Sequence, residues 1–146
     1  GLDGWYKPDF DDSKWTSGKA PIGIGVFGGR GGPDVPNRSQ WGDGEFLVMR
    51  TTFNLDDVDW DYVRISVLAT QGYYIYLNGR NIQTYVWWKD APFYRKLNLD
   101  GRQMKYLKKG ANTLAIYTNI EYRKGEKVGQ IDMCLEGLKK KDLIRP

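Results

Sequence analysis

The chain has 146 residues, a net charge of +4, one cysteine and no histidine. That length supports one domain with a real core and no disulfide staples. The missing histidines exclude the commonest general base near neutral pH, the commonest metal ligand and every histidine-containing triad, and one cysteine excludes an internal disulfide.

Aromatic residues make up 14% of a polar chain that also carries 18 glycines, a balance that suits a β-rich fold with many tight turns. No apolar stretch is long enough to span a membrane. The small positive charge argues for solubility more than for nucleic acid.

The chain opens at Gly1-Leu2-Asp3 with no signal peptide ahead of it, which reads as an excised domain. Asp11-Asp12-Ser13-Lys14-Trp15 predicts one short turn, since Asp and Ser cap well. Trp15, close to Pro21 and Gly23, reads as structural. The span Gly23–Gly44 predicts a long irregular loop carrying Gly28-Gly29-Arg30-Gly31-Gly32-Pro33. It is no phosphate loop, because no Gly-Lys-Ser/Thr follows and no strand–loop–helix unit surrounds it. Arg30 stands at its tip, placed to touch a ligand. Trp41 reads either as a loop anchor or as an exposed binding ring.

Strand signals dominate the remainder. Phe46–Asn54 puts Met49, Thr51 and Phe53 on one side and Arg50, Thr52 and Asn54 on the other. Tyr62–Ala69 puts Val63, Ile65, Val67 and Ala69 on one face. Asp56, Asp57, Asp59 and Asp61 lie between these strands and read as a turn rather than an acid–base pair, as do Asp11 and Asp12. Tyr73–Leu77 leads into Asn78-Gly79, the strongest short hairpin signal, with Asn81–Trp88 as the return strand. Tyr94–Leu99, Asn112–Ile120 and Gln130–Glu136 complete the set, and no segment of ten or more residues has helical periodicity. Lys105, Lys108 and Lys109 with Tyr106 are the nearest approach to a basic, aromatic track. Cys134, in an apolar run, reads as a buried small hydrophobe. Residues 139–146 read as a tail or linker after a single domain over 1–138.

A two-residue Asn78-Gly79 turn pairs Leu77 with Arg80, Tyr76 with Asn81, Ile75 with Ile82, Tyr74 with Gln83 and Tyr73 with Thr84. Tyr73, Ile75, Leu77, Ile82, Val86 and Trp88 then form a core-like face. The opposite face holds Tyr74, Tyr76, Asn81, Gln83, Tyr85 and Trp87, flat rings beside amides. Such a mixture suits sugars, whose apolar C–H faces are rimmed by hydroxyls. It also suits packing against a neighbouring domain or beneath the long loop. A one-residue slip would exchange the two faces.

Pro8-Asp9-Phe10-Asp11-Asp12-Ser13-Lys14-Trp15 followed by Gly18-Lys19-Ala20-Pro21-Ile22-Gly23, then Met49-Arg50-Thr51-Thr52-Phe53, Tyr74-Ile75-Tyr76-Leu77-Asn78-Gly79, Leu107–Ile116 and Gly129–Leu135 occur in this order over nearly the whole chain. The set resembles the galactose-binding-like jelly-roll domain attached to many bacterial glycoside hydrolases and other secreted degradative enzymes. The resemblance implies an all-β antiparallel sandwich and a secreted, periplasmic or cell-surface setting. It implies a non-catalytic carbohydrate-binding or substrate-positioning module, or else a structural spacer that packs on a catalytic domain and has no ligand. Partners would be a carbohydrate or a catalytic domain of the same chain, not nucleic acid or membrane. Tyr74, Tyr76, Gln83, Tyr85, Trp87, Arg30 and Trp41 are the expected ligand contacts. No cofactor is expected. Some such domains hold a structural calcium near the chain ends, for which Asp9, Asp11 and Asp132 would supply oxygens. Thr70-Gln71-Gly72 stands where related domains often carry acidic residues, which weakens a metal or acid role there.

Overall fold

The computed structural model describes residues 1–25, 35–70, 72–86 and 94–143. In chain order the elements are β1 (Ile22–Ile24), β2 (Ser39–Gln40), β3 (Phe46–Leu55), β4 (Tyr62–Ala69), β5 (Tyr73–Leu77), β6 (Arg80–Tyr85), β7 (Arg95–Asn98), α1 (Gly101–Met104), β8 (Gly110–Asn119), β9 (Glu121–Arg123), β10 (Glu126–Leu138) and α2 (Lys140–Leu143). One sheet runs β2-β1-β10-β4-β7, with β9 also paired to β10, and the other runs β3-β8-β5-β6. Every pair is antiparallel except β1–β2. The expected all-β sandwich is therefore present, with one short parallel pair at its edge.

The core lies between the sheets and follows from period-two alternation. Val63, Ile65 and Val67 of β4, Ile75 and Leu77 of β5, Ile116 of β8 and Ile131 of β10 are each at most 1% exposed. On β10, Ile131, Met133 and Leu135 join this core and Cys134 points the other way. Cys134 is exposed, opposite Ser66 of β4, so its expected burial is corrected. An apolar run reads as uniformly buried, but a strand with one covered face buries only alternate residues.

Two motifs read separately in the sequence lock together. Asn78 (φ +50°) and Gly79 (φ +80°) make the primed turn that the hairpin twist requires. The Asn78 amide donates to the Tyr106 carbonyl (2.7 Å) and to Asn112 Oδ1 (2.9 Å), and Asn78 Oδ1 accepts from the Thr113 amide (2.8 Å). Asn112, 1% exposed, also bonds the backbone of Lys108 and Gly110, and so shapes the turn into β8. A side chain this buried has to satisfy its polar atoms within the protein.

The hairpin register departs from the simple expectation. Leu77 pairs with Arg80 and Tyr76 with Asn81, as expected, but a bulge follows. Beyond it Ile75 faces Gln83, Tyr74 faces Thr84 and Tyr73 faces Tyr85. Ile82 is the extra residue. Its side chain is buried, and its carbonyl accepts from Gln103 Nε2 of α1 (2.8 Å). Asn81 Nδ2 spans the irregularity, donating to the carbonyls of Ile75 and Gln83. An inserted residue exchanges the faces of everything after it. Gln83 and Tyr85 thus turn to the core side, while Thr84 and Val86 turn outward. Val86, expected inside, is 77% exposed.

The tail begins with structure: Lys139 Nζ pairs with Asp59 (3.0 Å), the Lys140 amide donates to Asp61, and α2 follows.

Candidate functional site

The outer face of the β3-β8-β5-β6 sheet has two halves. The first is covered by the N-terminal segment, and Arg50 of β3 holds that cover in place. Its guanidinium, 4% exposed, donates to Asp12 Oδ2 (2.8 Å) and to the carbonyls of Trp5, Lys7 and Phe10. The Phe10 ring lies 5.4 Å from the same guanidinium carbon and meets Trp15 edge-on. A planar cation with several fixed donors suits gathering backbone oxygens onto one point. Tyr6 stacks on Tyr76 at 4.4 Å, and Trp5 meets it edge-on. Pro8 passes over Gly79, where a Cβ would sit 3.4 Å from its ring. Thr113 and Ala115 of β8, both on this outer face, are buried as a result.

The second half is open and carries a row of rings across three strands. Register places Val48 of β3 and Tyr74 of β5 on either side of Tyr117 of β8, with Phe46 next along β3. Ring centroids step 5.5 Å from Tyr74 to Tyr117 and 5.9 Å from Tyr117 to Phe46, all tilted rather than edge-on. Tyr74 is 38% and Phe46 48% exposed. A cleft of about 290 Å³ opens beside the row, lined by Glu45, Asn119 and Tyr122 as well as two of the rings. Tyr122 donates its hydroxyl to Glu45 Oε1 (2.8 Å), and that bond, more than burial, raises its pKa. The arrangement offers flat apolar faces bordered by a carboxylate, an amide and hydroxyls.

The seven residues singled out in the sequence separate widely. Tyr74 is on the open row. Tyr76 shares its face but lies under Tyr6. Gln83 and Tyr85 are on the core side of the bulged strand, where Tyr85 stacks on Tyr73 (5.4 Å) beneath Arg95 (4.0 Å). Trp41 is 2% exposed and lies against Gly129 of β10, where a Cβ would meet the indole at 2.9 Å. It is the loop anchor, and its place among the ligand contacts is corrected. Arg30 and Trp87 lie outside the described residues. Phe46, Tyr117, Asn119, Tyr122 and Glu45, which lie together on this open half, were not among the residues singled out. The aromatic richness of the chain hinted at them, but the pairing of β3 with β8 and β5 is what assembles them.

Asp11, Asp57 and Asp132 serve the fold. Asp11 accepts from the Ser13 amide and Asp57 from the Asp59 amide. Hydrogen bonding holds both carboxyls below the ordinary range, the side chain and backbone of Ser13 acting on Asp11 and the Asp59 amide on Asp57. Asp132 takes the Tyr94 hydroxyl, so its oxygens serve β10 and the segment before β7. Among the described residues no three Cys, Asp or Glu side chains gather as a metal site, so Asp9, Asp11 and Asp132 do not form one. Tyr106, in the basic track, is half-buried against the core with Arg80 over its ring.

No protein-family model and no curated protein matches the sequence. Solved structures do. Part of a beta-glycosidase from Bacteroides vulgatus superposes with a TM-score of 0.51 at 14% identity, over 90% of this chain and 18% of that one. The fold is that of a β-sandwich segment within a glycoside hydrolase chain. An alpha-L-rhamnosidase from Aspergillus terreus gives 0.49 at 18% identity, over 69% of this chain and 13% of that one. A glycosyl hydrolase family 2 member from Bacteroides cellulosilyticus gives 0.46 at 15%, over 88% and 18%. This chain spans less than a fifth of each.

Proposed function

We propose that the chain is a non-catalytic carbohydrate-binding module of a larger, secreted bacterial glycoside hydrolase-type protein, and that the sugar lies on the Phe46–Tyr117–Tyr74 row. The single observation carrying this reading is the contiguous run of three rings, exposed at Phe46 and Tyr74 and half-buried at Tyr117 between them, with hydrogen-bonding groups along its border. Flat rings take the C–H faces of sugars, while Glu45, Asn119 and the Tyr122 hydroxyl take their hydroxyls. An apolar patch left open on a folded domain marks a place where something binds.

The chemistry favours binding over cleavage. Glycoside hydrolysis needs two carboxyls across the scissile bond, one with a raised pKa. Asp11 and Asp57 are shifted the opposite way, and Asp12 is held by Arg50. The competing reading is a spacer whose aromatic row packs on a catalytic domain. The polar border favours the sugar, since burying a carboxylate and an amide under a packed domain is costly, whereas sugar hydroxyls can bond both.

Calorimetric titration with soluble polysaccharides decides between them. With each stacked ring worth about 1 kcal/mol, Tyr74→Ala or Phe46→Ala weakens binding about fivefold and Tyr117→Ala, at the centre, by more. Thermal stability changes little in the Tyr74 and Phe46 variants, whose side chains are exposed. Unaltered affinity in all three removes this site, and no affinity in the parent protein favours the spacer.

A further inference from the structure

We infer that the sugar site continues past Phe46, over the open edge of β3, into a second groove, so that it takes the interior of a linear, neutral glycan rather than a single sugar or a chain end. This rests on the carbohydrate reading of the aromatic row. Phe46 lines both the cleft beside Tyr117 and a groove of about 650 Å³ between the β3 edge and β2. One exposed ring thus belongs to two adjoining hollows. A ligand laid along the row meets the second as soon as it passes the strand edge.

The groove repeats the chemistry of the row. Trp15, half-buried, supplies a ring, and Val48 of β3 an apolar floor. Thr16, Ser17 and Gln40, all exposed, supply hydroxyls and an amide. Ser39 accepts the Lys19 amide at 2.7 Å and keeps its own hydroxyl proton to donate. The residues that line the groove are all uncharged. Among the described residues that line its inner end, the charged ones are Asp12 and Arg50, which pair with each other. With the Glu45 carboxylate beside the row, an acidic glycan would meet repulsion and no free cation along these lining residues.

The geometry also favours chain interiors. The ring steps of 5.5 and 5.9 Å are each about the width of one sugar ring, so the row holds consecutive units of a chain. At the Tyr74 end the facing residue on the edge strand β6 is Thr84, which is exposed. A glycan can therefore leave in that direction and extend into the groove in the other.

The test titrates the whole chain with β-glucan, xylan and galactomannan, with oligosaccharides of whichever binds from disaccharide to octasaccharide, and with polygalacturonate as the acidic comparison. Affinity should climb with length, by about tenfold or more between the shortest and longest ligands. Ser17→Trp, which fills the groove from an exposed position, and Gln40→Ala, which removes an exposed amide, should lower long-chain affinity and spare the disaccharide. Tyr117→Ala should weaken every length alike. Flat affinity with length, or Ser17→Trp without effect on the longest ligand, overturns the extended site and leaves the aromatic row standing. Preference for polygalacturonate overturns the neutral-glycan assignment. If no glycan binds, both readings fall together. Unchanged melting temperatures in the groove variants confirm that they fold.

Discussion

Tyr74 and Tyr76 stand two residues apart on one strand and face the same way, yet they meet different surroundings. Tyr76 is stacked under Tyr6 and touched by Trp5, and burial, followed by the charges of Tyr6 and Tyr74, raises its pKa. Tyr74 is open and leans on Tyr117. Strand alternation decides which face a residue takes, not whether that face is covered. Here the cover comes from a segment some seventy residues upstream, and it stops where the knot at Arg50 stops. The proposed binding surface is thus the part of an aromatic face that the N-terminal segment leaves bare.

Removing the knot should break the contrast most strongly. Arg50→Ala leaves Asp12 and the Trp5, Lys7 and Phe10 carbonyls without their shared donor, and should cost about 3 kcal/mol in urea unfolding. Amide exchange in residues 5–12 should accelerate, and Tyr76 should join the open surface. Arg50→Lys keeps the charge but loses the fork, and should fall between. Protected amides in residues 5–12 of the alanine variant would mean that the cover is anchored elsewhere.

A smaller loss, about 2 kcal/mol, is expected from Asn112→Ala, which removes the buried amide that ties together the backbone of Lys108 and Gly110 and the side chain of Asn78. It sharpens the contrast as a control: stability should drop while the N-terminal cover, followed by amide exchange, stays closed.

The smallest effect is alkaline. A phenol whose folded pKa lies above its unfolded value of 10.0 stabilises the fold fully below that pH, and the contribution is lost as pH rises through the folded value. Tyr76 behaves this way. In Arg50→Ala its titration, followed by tyrosinate absorbance, should return towards the ordinary range. Tyr94, pushed up to about 12 by burial and then by its bond to Asp132, should stay late-titrating in both proteins. A Tyr76 that titrates identically with and without Arg50 would show that its pKa does not depend on the cover.

The sandwich was legible because its longer strands alternate and its turns carry Asn-Gly and Gly-Ala-Asn. The site was legible only in part. Tyr74 could be placed from the turn, but the bulge at Ile82 moved Gln83 and Tyr85 inward, and no local pattern announces an extra residue whose side chain is apolar enough to be drawn into the core. Phe46 and Tyr117 become neighbours of Tyr74 only through pairing across strands distant in sequence, and single-strand patterns do not encode that pairing. β1, β2 and β9 are too short to show periodicity at all.

The position of β10 bears on how the domain is made. It is the last strand in the sequence, yet it lies between β1 and β4 at the centre of its sheet. During synthesis the edges of those two strands that face β10 must wait unpaired until nearly the whole domain has left the ribosome. Folding is then dominated by contacts of long sequence separation, so it is slow and late, and a chain stopped before residue 126 exposes two unpartnered strand edges. The emergence of β10 is what closes this sandwich.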